Sequence, residues 1–348
     1  MSNSRTPTAQ RKNDHLRIVE EHPVSVESVS TGFERFRLMH CALPEVDFDD
    51  ISTSTRFLHR SLRVPILISG MTGGIERGAL INQRLAAAAE AFGCAMGVGS
   101  QRVAIEDPDQ ARHFRPREVA PNILLFANLG AVQLNYGYGV AECQRAVEMI
   151  EADALVLHLN PLQEALQDHG NTRWSGLLRQ IERVCTGLDV PVIVKEVGWG
   201  ISARIARQLE AAGVAAIDVG GAGGTSWSEV ERHRAATPAL ANLCEAFAQW
   251  GIPTAESLQM TRAVTSLPVI ASGGLRTGID AAKALALGAD LVGFAAPLLR
   301  AAAASPEGAS EALAAIVAEL RLSMFCCGAA DLAHLRGTEL VAEPRGWP

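Results

Sequence analysis

The sequence has no basic excess, no Cys-x-x-Cys pair, no charge-free apolar stretch of bilayer-spanning length and no low-complexity linker. Each absence removes a class of function. With 31 Lys+Arg against 38 Asp+Glu the formal net charge is -7, so nucleic acid is not the expected partner, and an anionic ligand must be met by locally gathered cations. Seven cysteines cannot all pair. Cys94, Cys143 and Cys185 fall inside apolar periodic segments, where free thiols act as small hydrophobes, and the adjacent Cys326 and Cys327 have poor geometry for a disulfide with each other. Neither a zinc site nor a thioredoxin-type site is expected, and a reducing cytoplasm is. Met1 to Lys12 is polar, unlike a secretory leader or an anchor, and no run suits a membrane span.

What is present is ordinary for a globular chain: 348 residues, 48% hydrophobic and 20% charged. Short aliphatic runs alternate with amphipathic stretches, the pattern of repeated βα units. Strands are expected at Val64 to Ser69, Cys94 to Gly99, Ile123 to Asn128, Ala154 to Leu159, Pro191 to Glu196, Ala215 to Val219, Leu267 to Ser272 and Asp290 to Phe294. They are apolar along nearly their whole length, as strands covered on both faces should be. Helices fit the intervals, for example Ala79 to Phe92, Ile201 to Ala212 and Asp280 to Leu287. About eight such units match a (β/α)8 TIM barrel. A doubly wound open sheet is disfavoured, because glycines and polar residues follow nearly every strand instead of marking one fingerprint turn.

Extra length lies before the first strand and between the sixth and seventh, where a helix from Pro238 to Trp250 with Thr237 as its N-cap is expected. The chain therefore divides into an unstructured tail over residues 1–10, an N-terminal extension over 11–63 that covers one end of the barrel, and the barrel with a C-terminal helix over 64–348.

In such a barrel the residues just past each strand converge on one mouth. Ser272-Gly273-Gly274 leads toward a helix starting near Gly278, and Phe294-Ala295-Ala296 toward another, so paired loops could cradle a phosphate on backbone amides; glycines needed only for tight turns would explain one such loop. Lys195 closes an apolar strand and either offsets negative charge on a cofactor ring or snorkels to solvent. His158, Asn160, Gln163 and Glu164 crowd one corner. Glu164 either helps to hold Mg²⁺ or is a helix N-terminal residue favoured by the dipole, and His158 either faces substrate or is a core histidine. Arg11, Lys12 and His15 gather cations that form either a diphosphate clamp or a solvated tail.

Taken together, Arg11-Lys12 with His15, Met71-Thr72-Gly73-Gly74, Gly99-Ser100-Gln101-Arg102, Asn128-Leu129-Gly130, His158-Leu159-Asn160 with Gln163-Glu164, Lys195-Glu196-Val197-Gly198, Gly221 to Trp227 and Ser272-Gly273-Gly274 resemble the type 2 isopentenyl diphosphate isomerases over nearly the whole chain. The resemblance implies FMN held by Met71, Thr72, Gly73, Ser100, Asn128, Lys195, Thr225, Gly273, Gly274, Arg276, Ala295 and Ala296. It implies substrate contacts from Arg11, Lys12, His15, Ser100, Gln101, Arg102, His158, Asn160 and Gln163, with Gln163, His158 and Asn160 at the reacting face and Glu164 serving Mg²⁺. It further implies an allylic proton shift that uses reduced FMN, NADPH as the reductant that primes it, and a homo-oligomer of four or eight subunits. One local departure is Gly170 to Trp174, where the family often carries Gly-Asp and an aromatic. A hydroxyacid oxidase on the same barrel would instead want a histidine in the loop after the sixth strand, and Gly223-Gly224-Thr225-Ser226 stands there.

Overall fold

The computed structural model describes residues 7–26 and 28–342. Eight parallel strands close on themselves: β1 (Ile66–Ile68), β2 (Ala95–Gly97), β3 (Leu125–Gly130), β4 (Ala154–Leu159), β5 (Val192–Glu196), β6 (Ala216–Asp218), β7 (Val269–Ser272) and β8 (Leu291–Phe294). β8 completes the ring by pairing with β1, Val292 opposite Ile66 and Phe294 opposite Ile68. All eight runs expected from sequence are strands, most of them shorter than their apolar stretches. Proline explains three starts, since Pro65, Pro191 and Pro268 have no N–H to give the ladder and pairing begins just after them.

Side-chain alternation divides each strand between two cores. Leu67, Ala95, Phe126, Val156, Ile193, Ala216, Ile270 and Leu291 face inward and fill the barrel, while their neighbours, such as Ile66, Leu155 and Val292, pack under the outer helices. Among those helices Glu76–Phe92 ends at Gly93, whose φ of 62° is the left-handed cap that glycine takes without strain. Thr237 caps Pro238–Ala246 by accepting from the Leu240 amide, as expected, although the helix stops before Trp250.

The N-terminal extension serves both ends of the barrel, not one. The hairpin Thr55–Phe57 with Arg60–Leu62 sends Phe57 and Leu62 into the interior cluster beside Phe126 and so plugs the end opposite the mouth. Helix α1 (Pro7–Glu21) lies at the mouth, with Ile18 and Val19 packed beside Val24 and Val230. The expectation of an unstructured tail over residues 1–10 is therefore corrected at 7–10, which form the first turn of α1; residues 1–6 lie outside the described residues. Its apolar positions fall only in its second half, so the first half reads as a polar tail.

The seven cysteines are free, and Cys94, Cys143 and Cys244 are buried whereas Cys185 is only partly so. Burial pushes the Cys94 and Cys143 thiols up to about 12. Among the described residues no helix is long and apolar enough to cross a membrane.

Candidate active site

The alternation that fills the barrel also builds its polar floor. Two residues beyond each inward apolar side chain the same face comes round again, and those positions are Ser69, Asn128, His158, Lys195, Asp218 and Ser272, with Gly97 and Gly293 at the other two. His158, Lys195 and Asp218 stand in direct register across β4, β5 and β6. Lys195 Nζ donates to Ser272 Oγ at 2.8 Å and lies 3.1 Å from Asp218 Oδ2, so it faces partners inside the barrel and does not snorkel away. Glu196, one residue on, points to the other face. Its Oε2 accepts from the amides of Val197, Gly198, Trp199 and Gly200, and burial still pushes the carboxyl up to about 7.

His158 Nδ1 sits 2.8 Å from Asn128 Oδ1, which assigns the proton to Nδ1 in the neutral ring. Burial lowers the imidazole to about 4, so the ring is neutral near pH 7. Gln101 explains how Asn128 is held, and corrects an expectation. It is fully buried, its Oε1 accepts from the Asn128 amide and its Nε2 donates to Ala146 O, so its side chain braces β3 from behind and does not line the cavity. The side chains of Ser100 and Arg102 do line the mouth; the intervening one turns into the core.

The corner after β4 is a hydrogen-bonded network. Asn160 Nδ2 donates to Gln163 Oε1 at 3.0 Å and to Glu164 Oε1 at 3.2 Å. Glu164 Oε2 accepts from both the amide and the side chain of Asn171, which gives the Gly170 to Trp174 segment its local purpose. Gln163 Nε2 reaches Glu231 Oε1 at 3.3 Å, and Glu231 also receives His15 Nε2 at 3.0 Å and Arg234 Nη1 at 2.6 Å. Burial alone would raise the Glu231 carboxyl, but the hydrogen bond and charge of His15, with Arg234 and Gln163, outweigh it and hold the group below its ordinary range. Burial lowers His15 despite that partner.

Glu231 and Arg234 were not legible as site residues. They belong to the short segment that begins with the helix Trp227–Arg232, where Glu231 lies one helical turn past Trp227 on the same face. That spacing was the available signal, and His15 packs edge-on against the Trp227 ring at 5.2 Å.

Helix α1 brings cations to this face. Lys12 Nζ donates to Gly73 O at 2.7 Å and Ser100 O at 2.5 Å. Burial, then the charge of Arg11, lowers the Lys12 ammonium to about 7; burial and Arg102 also lower Arg11. Arg102 is tied to Glu106 at 2.6 Å.

The glycine loops after β6 and β7 lean on each other. Gly273 and Gly274 have φ of 110° and 80°, and a Cβ on either would meet Gly221 O or Gly223 O, so side chains are excluded on both counts. The expected phosphate position at the start of the following helix is corrected. In the helix Gly278–Ala286 the Gly278 amide donates to Glu319 and the Asp280 amide to Thr277, so those donors are taken. The helix Ala296–Ala304 has no side-chain cap at Ala295 and is the open one.

These groups surround one cavity of about 500 Å³. From α1 it receives Arg11, Lys12 and His15; from the loops after β1 and β2, Met71, Thr72, Ser100 and Arg102; from β3, Asn128; from β4 and the turn after it, His158, Asn160, Gln163 and Glu164; and from β5, Lys195. Thr225, Gly273, Gly274, Arg276, Ala295 and Ala296 close the far side. Gly73 is not on the wall. It offers its carbonyl to Lys12 while its α-carbon packs against Phe114. Gln133, Gln167 and Arg300 line the cavity without having been expected there. Three buried polar atoms of wall residues, Ser69 Oγ, Asn160 Oδ1 and Gln167 Nε2, have no described protein partner.

Residues 141–342 match the family of FMN-dependent dehydrogenases. An isopentenyl-diphosphate delta-isomerase from a Synechococcus strain is 55% identical over 94% of both chains, and one from Stutzerimonas stutzeri is 54% identical over 97% of this chain and 98% of that one. A solved mandelate oxidase structure superposes with a TM-score of 0.67 at 18% identity, covering 97% of this chain and all of that one, and a Pediococcus acidilactici putative lactate oxidase with 0.65 at 17%, covering 95% and 87%. At those identities the oxidases share the barrel alone. The chain belongs to the isopentenyl-diphosphate delta-isomerases, built on the barrel of the FMN-dependent dehydrogenases.

Proposed function

We propose that this protein interconverts isopentenyl and dimethylallyl diphosphate with reduced FMN and Mg²⁺, NADPH serving to keep the flavin reduced. The observation that carries this reading is the division of one cavity into a cationic rim, Arg11, Lys12 and Arg102, and a neutral polar wall of His158, Asn160 and Gln163. A diphosphate fits the first and a C5 alkene the second. The cavity suits FMN through the Gly273 and Gly274 backbone, the uncapped start of Ala296–Ala304 and the unpartnered Ser69 hydroxyl, with Lys195 set to balance negative charge on its ring. Reduced FMN, when bound, supplies a proton donor and acceptor that amides and a neutral imidazole cannot.

The residues do the rest. Glu231 fixes the Gln163 carboxamide so that its orientation toward the alkene is set, and His15 shares that carboxylate and thereby locks α1 over the mouth. His158, held neutral by burial and with its Nδ1 proton given to Asn128, offers Nε2 as an acceptor without adding charge. Glu164 and the unpartnered Asn160 Oδ1 present hard oxygens to Mg²⁺. Among the described residues no group of three or more His, Cys, Asp or Glu is placed to hold a metal, so substrate oxygens have to complete the shell. A cytoplasmic homo-oligomer is part of the same reading and is checked by light scattering.

The test is conversion of isopentenyl diphosphate by purified protein under anaerobic reduction, with and without FMN. Dimethylallyl diphosphate formed only with the flavin supports the reading. Oxidation of a 2-hydroxyacid in its place overturns it.

A further inference from the structure

Asp218 has no part in the reading above, although it is among the most enclosed charged groups of the floor, 1% exposed at the end of β6. Its Oδ1 accepts from Ser272 Oγ at 2.5 Å and from the Gly220 amide at 3.2 Å, and its Oδ2 lies 3.1 Å from Lys195 Nζ. Ser272 Oγ accepts in turn from Lys195. A lysine, a carboxylate and a hydroxyl on the adjacent strands β5, β6 and β7 thus form a closed ring. An ammonium has three donors. One goes to Ser272; Asp218 Oδ2 is met by charge at 3.1 Å without a hydrogen bond, and donor capacity is left for the cavity that Lys195 lines.

We propose that Asp218 is a positioning residue that sets the direction of Lys195 and limits how much positive charge reaches the FMN ring. This rests on the placement of FMN beside Lys195 proposed above. A lone ammonium in a low-dielectric floor favours the anionic, reduced flavin, whereas an ammonium with a carboxylate behind it acts as a dipole whose field falls off faster. Ser272 and the Gly220 amide fix the carboxylate from the barrel side, so it cannot turn toward the ligand and repel it. Removing the Asp218 charge leaves Lys195 in place and uncompensated.

The experiment is an anaerobic dye-equilibration titration of the FMN midpoint potential in wild-type holoenzyme and in Asp218→Asn, with Lys195→Met as the control of opposite sign. Asp218→Asn is expected to shift the potential to more positive values, reduced FMN gaining at least about tenfold in affinity over oxidised FMN, which is about 30 mV for a two-electron couple. Lys195→Met is expected to shift it the other way. Asp218→Ser, smaller and still able to hydrogen-bond, gives the same reading if Asn is not accommodated. A purely structural Asp218 would lower the unfolding temperature of both variants and leave the potential where it was, and that result overturns the inference. If Asp218→Asn moves the potential negative, it is likewise overturned. Failure of the wild-type protein to bind FMN, or of Lys195→Met to move the potential, strikes the placement of FMN itself, so the two failures are told apart.

Discussion

His15 on α1 and Glu231 on the helix Trp227–Arg232 meet at 3.0 Å across 216 residues of sequence, and the same carboxylate holds Gln163. One buried group therefore couples the helix that carries Arg11 and Lys12 to the amide proposed to stand at the reacting face. Glu231→Ala leaves His15 and the buried Gln163 without this acceptor and Arg234 with only Asp14 at 3.8 Å, and a stranded buried donor costs about 1–3 kcal/mol. Because about 1.4 kcal/mol is tenfold, kcat/KM for isopentenyl diphosphate is expected to fall at least tenfold with FMN retained. Steady-state kinetics and the flavin spectrum measure both, and unchanged kcat/KM would show that α1 docks without this contact.

Lys12 gives a pH dependence with a definite sign. Burial and Arg11 lower its ammonium from 10.5 to about 7, so the charge proposed to meet the diphosphate is present below about pH 7 and is lost above it. The kcat/KM of the free enzyme is expected to fall as pH rises through 7, toward a limit of about tenfold per unit, and Lys12→Arg should flatten the profile because guanidinium stays charged. Stability runs oppositely. The unfolded chain binds the extra proton between about 7 and 10.5, so this group makes folding more favourable as pH rises across that window. A profile unaltered by Lys12→Arg would remove Lys12 from the clamp.

Glu164→Gln keeps the shape of the corner and the acceptor for Asn171 but removes the charge proposed to hold Mg²⁺. The Mg²⁺ concentration giving half-maximal turnover is expected to rise about tenfold or more, with FMN affinity unchanged. A Mg²⁺ titration checks it. Loss of FMN would relocate Glu164 to the cofactor side.

Much of this arrangement was legible in the sequence, because it follows from periodicity. Eight aliphatic runs give eight strands, and Asn128, His158 and Lys195 are read as mouth residues since each closes such a run. What failed had physical reasons. Trp227–Arg232 is six residues long, too short to show a helical period, so Glu231 went unseen. Gln101 was grouped with Ser100 and Arg102, yet past the strand end successive side chains diverge and the middle one turns inward. The Gly278 helix looked like an anion site because the residue that occupies its first amide, Glu319, comes from a distant helix that no local pattern reveals.

Gln101→Ala separates bracing from binding. It strands the Asn128 amide, at about 1–3 kcal/mol, and removes a second donor from Ala146 O, so the unfolding temperature of the protein is expected to drop by a few degrees while KM for isopentenyl diphosphate stays within about twofold. A raised KM at unchanged stability would restore Gln101 to the substrate-binding set.

The most direct measurement is product formation against reductant consumption. Floor and wall present His158, Asn160 and Gln163, and the carboxylates nearby, Glu164, Asp218 and Glu231, are all engaged by protein donors or by Lys195, which leaves no free side-chain acid for the alkene. Anaerobic protein with dithionite-reduced FMN and Mg²⁺ is expected to form dimethylallyl diphosphate at full rate without NADPH, and NADPH, when it is the reductant, should be consumed at far less than one equivalent per turnover. Equal rates with oxidised FMN, or one NADPH consumed per product, would contradict the proposed reaction.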